Sequence, residues 1–246
     1  MEILSIKSLS KAYDGVRALR DVTFGVGAGE LVALIGPNGA GKTTCFNIVN
    51  GQVRPDAGDV LLDGKSVAGR PPREVWRLGV GRTFQVAATF GSLSARENVQ
   101  AALLSHRGLL NSFLRNARGL LADEADRLLG QVGMADQAAR PCSELAYGDL
   151  KRVELALALA HRPRLLLMDE PTAGMAPEER QELMRLAADL ARGEKLAVLF
   201  TEHDVDVVFG FADRVVVLHG GEIIAAGTPQ QVRSDARVQE VYLGDV

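Results

Sequence analysis

In two stretches of the first third of the chain, hydrophobic positions recur at every second residue. Residues 3–9 and 21–26 alternate apolar and polar side chains, which predicts two half-buried strands, the second ending at the Gly27 and Gly29 turn. Residues 31–35 are continuously apolar and broken by Gly36, the pattern of a strand covered on both faces. The spacing then predicts a helix over about 42–50, stopped by Gly51, and a short strand over 58–63 closed by an Asp-Gly turn. Two prolines between Arg70 and Arg73 mark a loop before a short helix around 74–78.

From Ser94 to about Val132 the period becomes helical. Ser94 and Glu97 are spaced as a capping box, and Leu or Ala recurs at three- and four-residue steps, so this stretch reads as a helical subdomain. After Pro141 the pattern gives a helix over about 149–160, a strand over 165–168, a helix over 177–191 and a strand over 196–200. Strands alternating with helices of that length imply an α/β fold with a parallel sheet wrapped on both faces. Residues 215–218 and 223–226, joined through Gly220 and Gly221, read as a closing hairpin.

Composition changes this picture only by exclusion. With 47% hydrophobic and 24% charged residues the chain has ample material for a core, and its 246 residues suit one unit with a subdomain. Lys plus Arg number 28 against 31 Asp plus Glu, a net charge of -3, so no bulk positive field exists to hold nucleic acid. Any anion must be bound locally. Cys45 and Cys142 are too few for a disulfide framework or a four-ligand zinc site and read as buried thiols of a reducing compartment. The N-terminus lacks the layout of a secretion signal, and no apolar run approaches a membrane span, so a cytoplasmic location is expected. His106, His161 and His219 show no ligand spacing and are expected at the surface.

Gly36, Pro37, Asn38, Gly39, Ala40, Gly41, Lys42 and Thr43 fit G-x-x-x-x-G-K-[ST] between a predicted strand and a predicted helix. Successive backbone N–H groups in such a turn point into one concavity, and the helix N-terminus adds its positive dipole end. Lys42 is placed to neutralise β and γ phosphates and the Thr43 hydroxyl to hold Mg²⁺. A phosphate loop alone leaves kinase, GTPase and ATPase open. Downstream, an apolar strand delivers Asp169 and Glu170 at its C-terminal end, where ligands of open α/β sheets gather. Asp169 is placed to reach Mg²⁺ through water and Glu170 to polarise an attacking water.

With these motifs the chain resembles the ATP-binding cassette (ABC) family over essentially its whole length. Leu145, Ala146, Tyr147, Gly148 and Asp149 stand where the family has its signature sequence, before a helix and about twenty residues ahead of the carboxylate pair. Gln85, in Gly-Arg-Thr-Phe-Gln, matches the glutamine that contacts Mg²⁺ and water and senses the membrane partner, and His203, in Thr-Glu-His-Asp, matches the switch histidine at the γ-phosphate. Tyr13 lies where the family stacks an aromatic ring on adenine.

The resemblance implies a P-loop NTPase with a RecA-like parallel-sheet core, an N-terminal antiparallel β subdomain and an inserted α-helical subdomain. Residues 1–246 would form one domain, with about 1–92 and 162–246 as core and about 93–161 as the helical signature subdomain. It implies ATP and Mg²⁺ as cofactors, and Glu170, His203 and Gln85 as catalytic residues. Tyr13, residues 36–43, Thr44 and the signature positions Ala146, Tyr147, Gly148 and Asp149 would bind nucleotide. Thr43, Gln85 and Asp169 would attend the metal. It also implies a second cassette, identical or homologous, two membrane permease subunits, an external solute-binding protein and a peripheral position on the cytoplasmic face of the inner membrane.

Three departures bear on coupling between two ATP sites. Ala146 replaces the usual serine and Asp149 the usual glutamine, and Ala176, in the loop after the Asp169-Glu170 pair, lacks the customary carboxylate. The signature, Glu-Pro-Thr-Ala-Gly-Met after the strand, and the Val-Tyr-Leu-Gly ending resemble ATPase subunits of branched-chain amino acid importers. A soluble ABC protein acting on ribosomes or DNA, or a P-loop kinase, is the alternative. The basic segment 106–121, with Arg107, Arg115 and Arg118 among leucines, could meet the permease or an anionic membrane surface, or be a solvated amphipathic helix.

Overall fold

The computed structural model describes residues 1–83, 89–109 and 121–243; Gln85 and most of the basic segment lie outside them. The chain opens with the antiparallel hairpin β1 (Glu2–Tyr13) and β2 (Val16–Gly27), then β3 (Leu31–Ile35) and α1 (Lys42–Val49). Next come β4 (Ala57–Leu62), the two-residue β5 (Lys65–Ser66), α2 (Pro72–Arg77) and β6 (Val80–Thr83). Among the described residues α3 (Ala95–His106), α4 (Ala122–Gln131) and α5 (Tyr147–Leu159) follow. The remainder alternates as β7 (Leu165–Asp169), α6 (Pro177–Glu194), β8 (Ala197–Thr201), α7 (Val205–Phe211), the hairpin β9 (Arg214–His219) and β10 (Glu222–Gly227), and α8 (Pro229–Ser234).

Two sheets result. One has the order β2-β1-β4-β5; the other has the order β10-β9-β3-β8-β7-β6, parallel except for β10. The continuous apolar run of β3 is explained by a core on each face. Leu31, Ala33 and Ile35 join a cluster with α3, α5 and α6, whereas Val32 and Leu34 join a second with α1, β1 and β2. β7 and β8 divide the same way, Met168 and Phe200 to the first cluster, Leu167 and Leu199 to the second. Successive strand residues face opposite sides, so every position of a doubly covered strand must be apolar.

The capping box is present: Ser94 Oγ accepts from Glu97 N–H at 3.2 Å and Glu97 Oε2 accepts from Ser94 N–H at 2.9 Å. Both cysteines are buried. Among the described residues no helix is long and apolar enough to cross a membrane.

Several features depart from the sequence expectation. Residues 80–83 form a strand, β6, on the edge of the parallel sheet, and α7 starts after Asp204, whose side chain accepts from Asp206 and Val207 N–H. Helix α5 begins at Tyr147, inside the signature turn, two residues earlier than its apolar period suggests. His106 and His219 are exposed, but His161 is not a surface residue: it is only 6% exposed. It packs under Trp76, with ring centroids 4.8 Å apart and His106 at 5.9 Å, and Arg162 follows it with a left-handed φ of 53°.

Candidate active site

The phosphate-loop motif occupies the turn from the buried end of β3 into α1. Gly36 has φ 147°, and a Cβ there would lie 2.0 Å from the Leu218 carbonyl oxygen; at Gly41, φ 109°, it would lie 2.4 Å from the Ala18 carbonyl oxygen. Only glycine lets the loop pass this close to β2 and β9. Ala40 O accepts from Gly221 N–H at 3.2 Å, which ties the loop to the β9–β10 turn. In α1 the first N–H to find a backbone partner is Cys45, on Gly41 O at 2.9 Å. Among the described residues none bonds the N–H groups of Gly39, Gly41, Lys42, Thr43 or Thr44. A cluster of orphan donors at a helix N-terminus is a site for a multiply charged anion, so the residues present fit a nucleotide polyphosphate.

Lys42 is 7% exposed and its Nζ donates to Gly36 O at 2.6 Å and Pro37 O at 3.1 Å. Burial lowers its pKa, opposed by the charges of Glu170 and then Asp169, so the ammonium and both carboxylates lie within mutual reach. Asn38 and Thr43 are exposed and Thr44 is half-buried at the mouth of the loop. Tyr13 is 44% exposed at the tip of the β1–β2 hairpin, with Lys11 Nζ 5.4 Å from its ring centroid.

The carboxylates come from β7 and their partners from β8, because Asp169 pairs with Thr201 in the parallel register. Thr201 Oγ1 donates to Asp169 Oδ1 at 2.9 Å and accepts from Glu170 N–H at 3.1 Å. Glu170 leaves the strand with φ 47°, a left-handed conformation that turns its side chain out of the pleat. Its Oε1 then lies 3.0 Å from His203 Nε2. Two residues that the motifs did not single out hold this arrangement. Buried Glu202 accepts from Thr172 N–H at 2.9 Å and from His203 N–H at 3.0 Å, fastening the turn after β7 to the turn after β8. Arg82 Nη2 donates to Asp169 Oδ2 at 2.9 Å.

The signature turn sits elsewhere. Ala146 is the N-cap of α5 and offers no side-chain cap, Tyr147 is 41% exposed, Gly148 is buried and Asp149 half-buried in the first turn. A Cβ on Gly148 would touch Glu179 at 3.0 Å, and the Tyr147 ring packs against Gly174 and lies 5.7 Å from Lys151 Nζ. Ala176 has no capping oxygen, and only Glu179 Oε2 reaches back, to Ala176 N–H at 3.2 Å. The signature thus contacts α6 and the turn before it, while the phosphate loop contacts β2 and the β9–β10 hairpin.

Residues 19–173 match the family described as ABC transporter, and residues 222–246 match the family described as branched-chain amino acid ATP-binding cassette transporter. The chain is 37% identical over 252 residues to the high-affinity branched-chain amino acid transport ATP-binding protein LivG of Escherichia coli K12, covering 99% of this chain and 98% of that protein. It is 38% identical over 244 residues to the lipopolysaccharide export system ATP-binding protein LptB of Acidithiobacillus ferridurans, covering 99% and 98%. The ADP conformation of MJ1267, an ATP-binding cassette of an ABC transporter, superposes with a TM-score of 0.87 at 29% identity, covering 99% of both chains. The phosphate loop, the carboxylate pair and the signature helix therefore stand in a known frame, and the chain belongs to the ATP-binding cassette family of ABC transporter ATPases.

Proposed function

We propose that this chain powers import of branched-chain amino acids, or a related small polar solute, as one of two cassettes beneath a pair of permease subunits. The observation that carries the catalytic reading is the parallel register of β7 and β8, which brings Asp169, Glu170, Thr201 and His203 to one edge. The orphan N–H groups of Gly39, Gly41, Lys42, Thr43 and Thr44, together with the Lys42 ammonium, bind the phosphates, and Tyr13 stacks on the base. The Thr43 hydroxyl and the Asp169 carboxylate are oxygen donors of the kind Mg²⁺ takes, the resemblance adds Gln85 to them, and Mg²⁺ bound there would neutralise phosphate charge. The Glu170 carboxylate takes the proton of the attacking water, and His203, 3.0 Å from that carboxylate, orients it and stands at the γ-phosphate.

Residues 1–246 act as one domain in which the helical region 93–161 presents Ala146, Tyr147, Gly148 and Asp149 to the nucleotide held by a second cassette. The separate surroundings of the signature and the phosphate loop within one chain support this division. The permease subunits hold the cassette peripherally at the cytoplasmic face of the inner membrane, and an external solute-binding protein feeds them. A cleft of about 760 Å³ between α2, α5 and β6, lined by Arg73, Trp76, Arg77, Leu157 and His161, supplies a seat for a permease segment next to the strand that leads to Gln85.

The match at 222–246 supports amino acid import, while similarity of equal extent to LptB supports lipopolysaccharide export. ATPase rates measured with permease subunits of each kind in lipid separate the two. Stimulation by importer permeases is expected, whereas stimulation by export permeases alone would overturn the amino acid assignment.

A further inference from the structure

Asp169 carries a charge that is compensated before any metal arrives. Its Oδ1 accepts from Thr201 Oγ1 at 2.9 Å and its Oδ2 from Arg82 Nη2 at 2.9 Å, with the Arg82 side chain 8% exposed and that of Asp169 19%. The guanidinium is itself held from α1 and the turn after it: its Nη1 donates to Asn47 Oδ1 at 2.9 Å and to Gln52 Oε1 at 3.2 Å, and its carbon lies 6.0 Å from the Phe46 ring centroid. Arg82 thus joins three parts of the nucleotide site: the helix that begins at the phosphate loop, the metal-side carboxylate, and β6, which ends two residues before Gln85.

Arg82 adds a second cation to Lys42 against the two carboxylates where a polyphosphate must enter. Like charge at short range in a half-buried site opposes anion binding by several-fold to a hundredfold. We propose that Arg82 is a positioning residue that fixes the Asp169 carboxylate and neutralises it ahead of the divalent cation, so that the cradle accepts nucleotide before the metal is in place. This rests on the reading of residues 36–44 as a nucleotide site. A planar fork suits the role, because one guanidinium reaches Asp169 with one nitrogen and Asn47 and Gln52 with another, which an ammonium cannot do with fixed geometry.

The test is ATP affinity of the full chain by calorimetry, once in EDTA and once in saturating Mg²⁺. Arg82→Gln is expected to weaken binding in EDTA by about tenfold and to leave Mg²⁺-dependent affinity within about threefold, so the ratio of the two constants rises. Arg82→Lys, which keeps the charge, is expected to stay within about threefold of the unaltered chain in EDTA. The double variant Arg82→Gln with Asp169→Asn removes the charge together with its compensation, and its EDTA affinity is expected to return to the unaltered value. If Arg82→Gln does not fold, the lysine and double variants carry the test, and both must bind in EDTA as the unaltered chain does. Equal weakening in both media, or a double variant as weak as Arg82→Gln, would overturn the role of Arg82. Absence of ATP binding by the unaltered chain in either medium would overturn the functional reading and this inference with it.

Discussion

His203 Nε2 lies 3.0 Å from Glu170 Oε1, so a residue following β8 holds the carboxylate that follows β7. Glu170→Gln keeps the shape but cannot take a proton. Its ATP turnover is expected to fall by roughly 10² or more while nucleotide binding persists, and ATP is expected to drive it into a stable dimer. Steady-state turnover and size-exclusion chromatography with ATP check this. A Glu170→Gln protein that hydrolyses ATP at the normal rate would remove Glu170 from its assigned role.

The backbone of the phosphate loop offers a second test. Gly36→Ala places a Cβ 2.0 Å from the Leu218 carbonyl at φ 147°, so the loop must move. Loss of nucleotide binding and destabilisation by about 1–3 kcal/mol are expected. Gly193→Ala, within α6 and with open space around it, is the control and is expected to stabilise by about 0.5–1 kcal/mol. Denaturant unfolding of the two variants must give opposite signs.

Burial, joined by the His106 charge and opposed by the Val80 backbone, pushes the His161 pKa down from 6.5 to about 4. The unfolded chain therefore takes up a proton near pH 6.5 that the folded chain refuses until about pH 4, and stability falls as pH drops through that window. The loss totals about 3 kcal/mol by pH 4. His161→Phe is expected to flatten this part of the profile, as read from urea midpoints between pH 4 and 7. An unchanged slope would place the titration elsewhere.

Both thiols should be inert in the folded chain. Cys45 is fully buried with its pKa raised to about 12, and burial also raises that of Cys142, whose Sγ lies 3.2 Å from Asn98 Nδ2. A thiolate reagent at pH 8 is expected to label neither residue before unfolding and both after it. Labelling of the native protein within minutes would show that one of these clusters opens.

Much of this was legible because packing imposes a period. The all-apolar run of residues 31–35 announced a strand with two covered faces, and the glycines at 36 and 41 announced a turn that only they can make. What escaped was set by distant partners. Residues 80–83 contain Gly81 and Arg82 and have no alternation, since they become a strand only by pairing with β7. Arg82 shows no spacing relative to Asp169, 87 residues away, and Glu202 none relative to Thr172. His161 follows an alanine-rich helix and is buried beside Trp76 and His106, partners distant in sequence that local sequence did not signal.

Helix α5 has a consequence of its own. It runs unbroken for 13 residues, about 20 Å, from the exposed Tyr147 turn to the wall of the cleft, where Glu154, Leu157 and Ala158 stand. A hydrogen-bonded rod of that length resists shortening, so a segment seated beside Trp76 as proposed would tip the far end like a lever. In the proposed assembly such a rod would carry a push beside Trp76 straight to the Tyr147 turn, and a proline at mid-rod, where Val153, Glu154 and Leu155 are buried, would kink or break it.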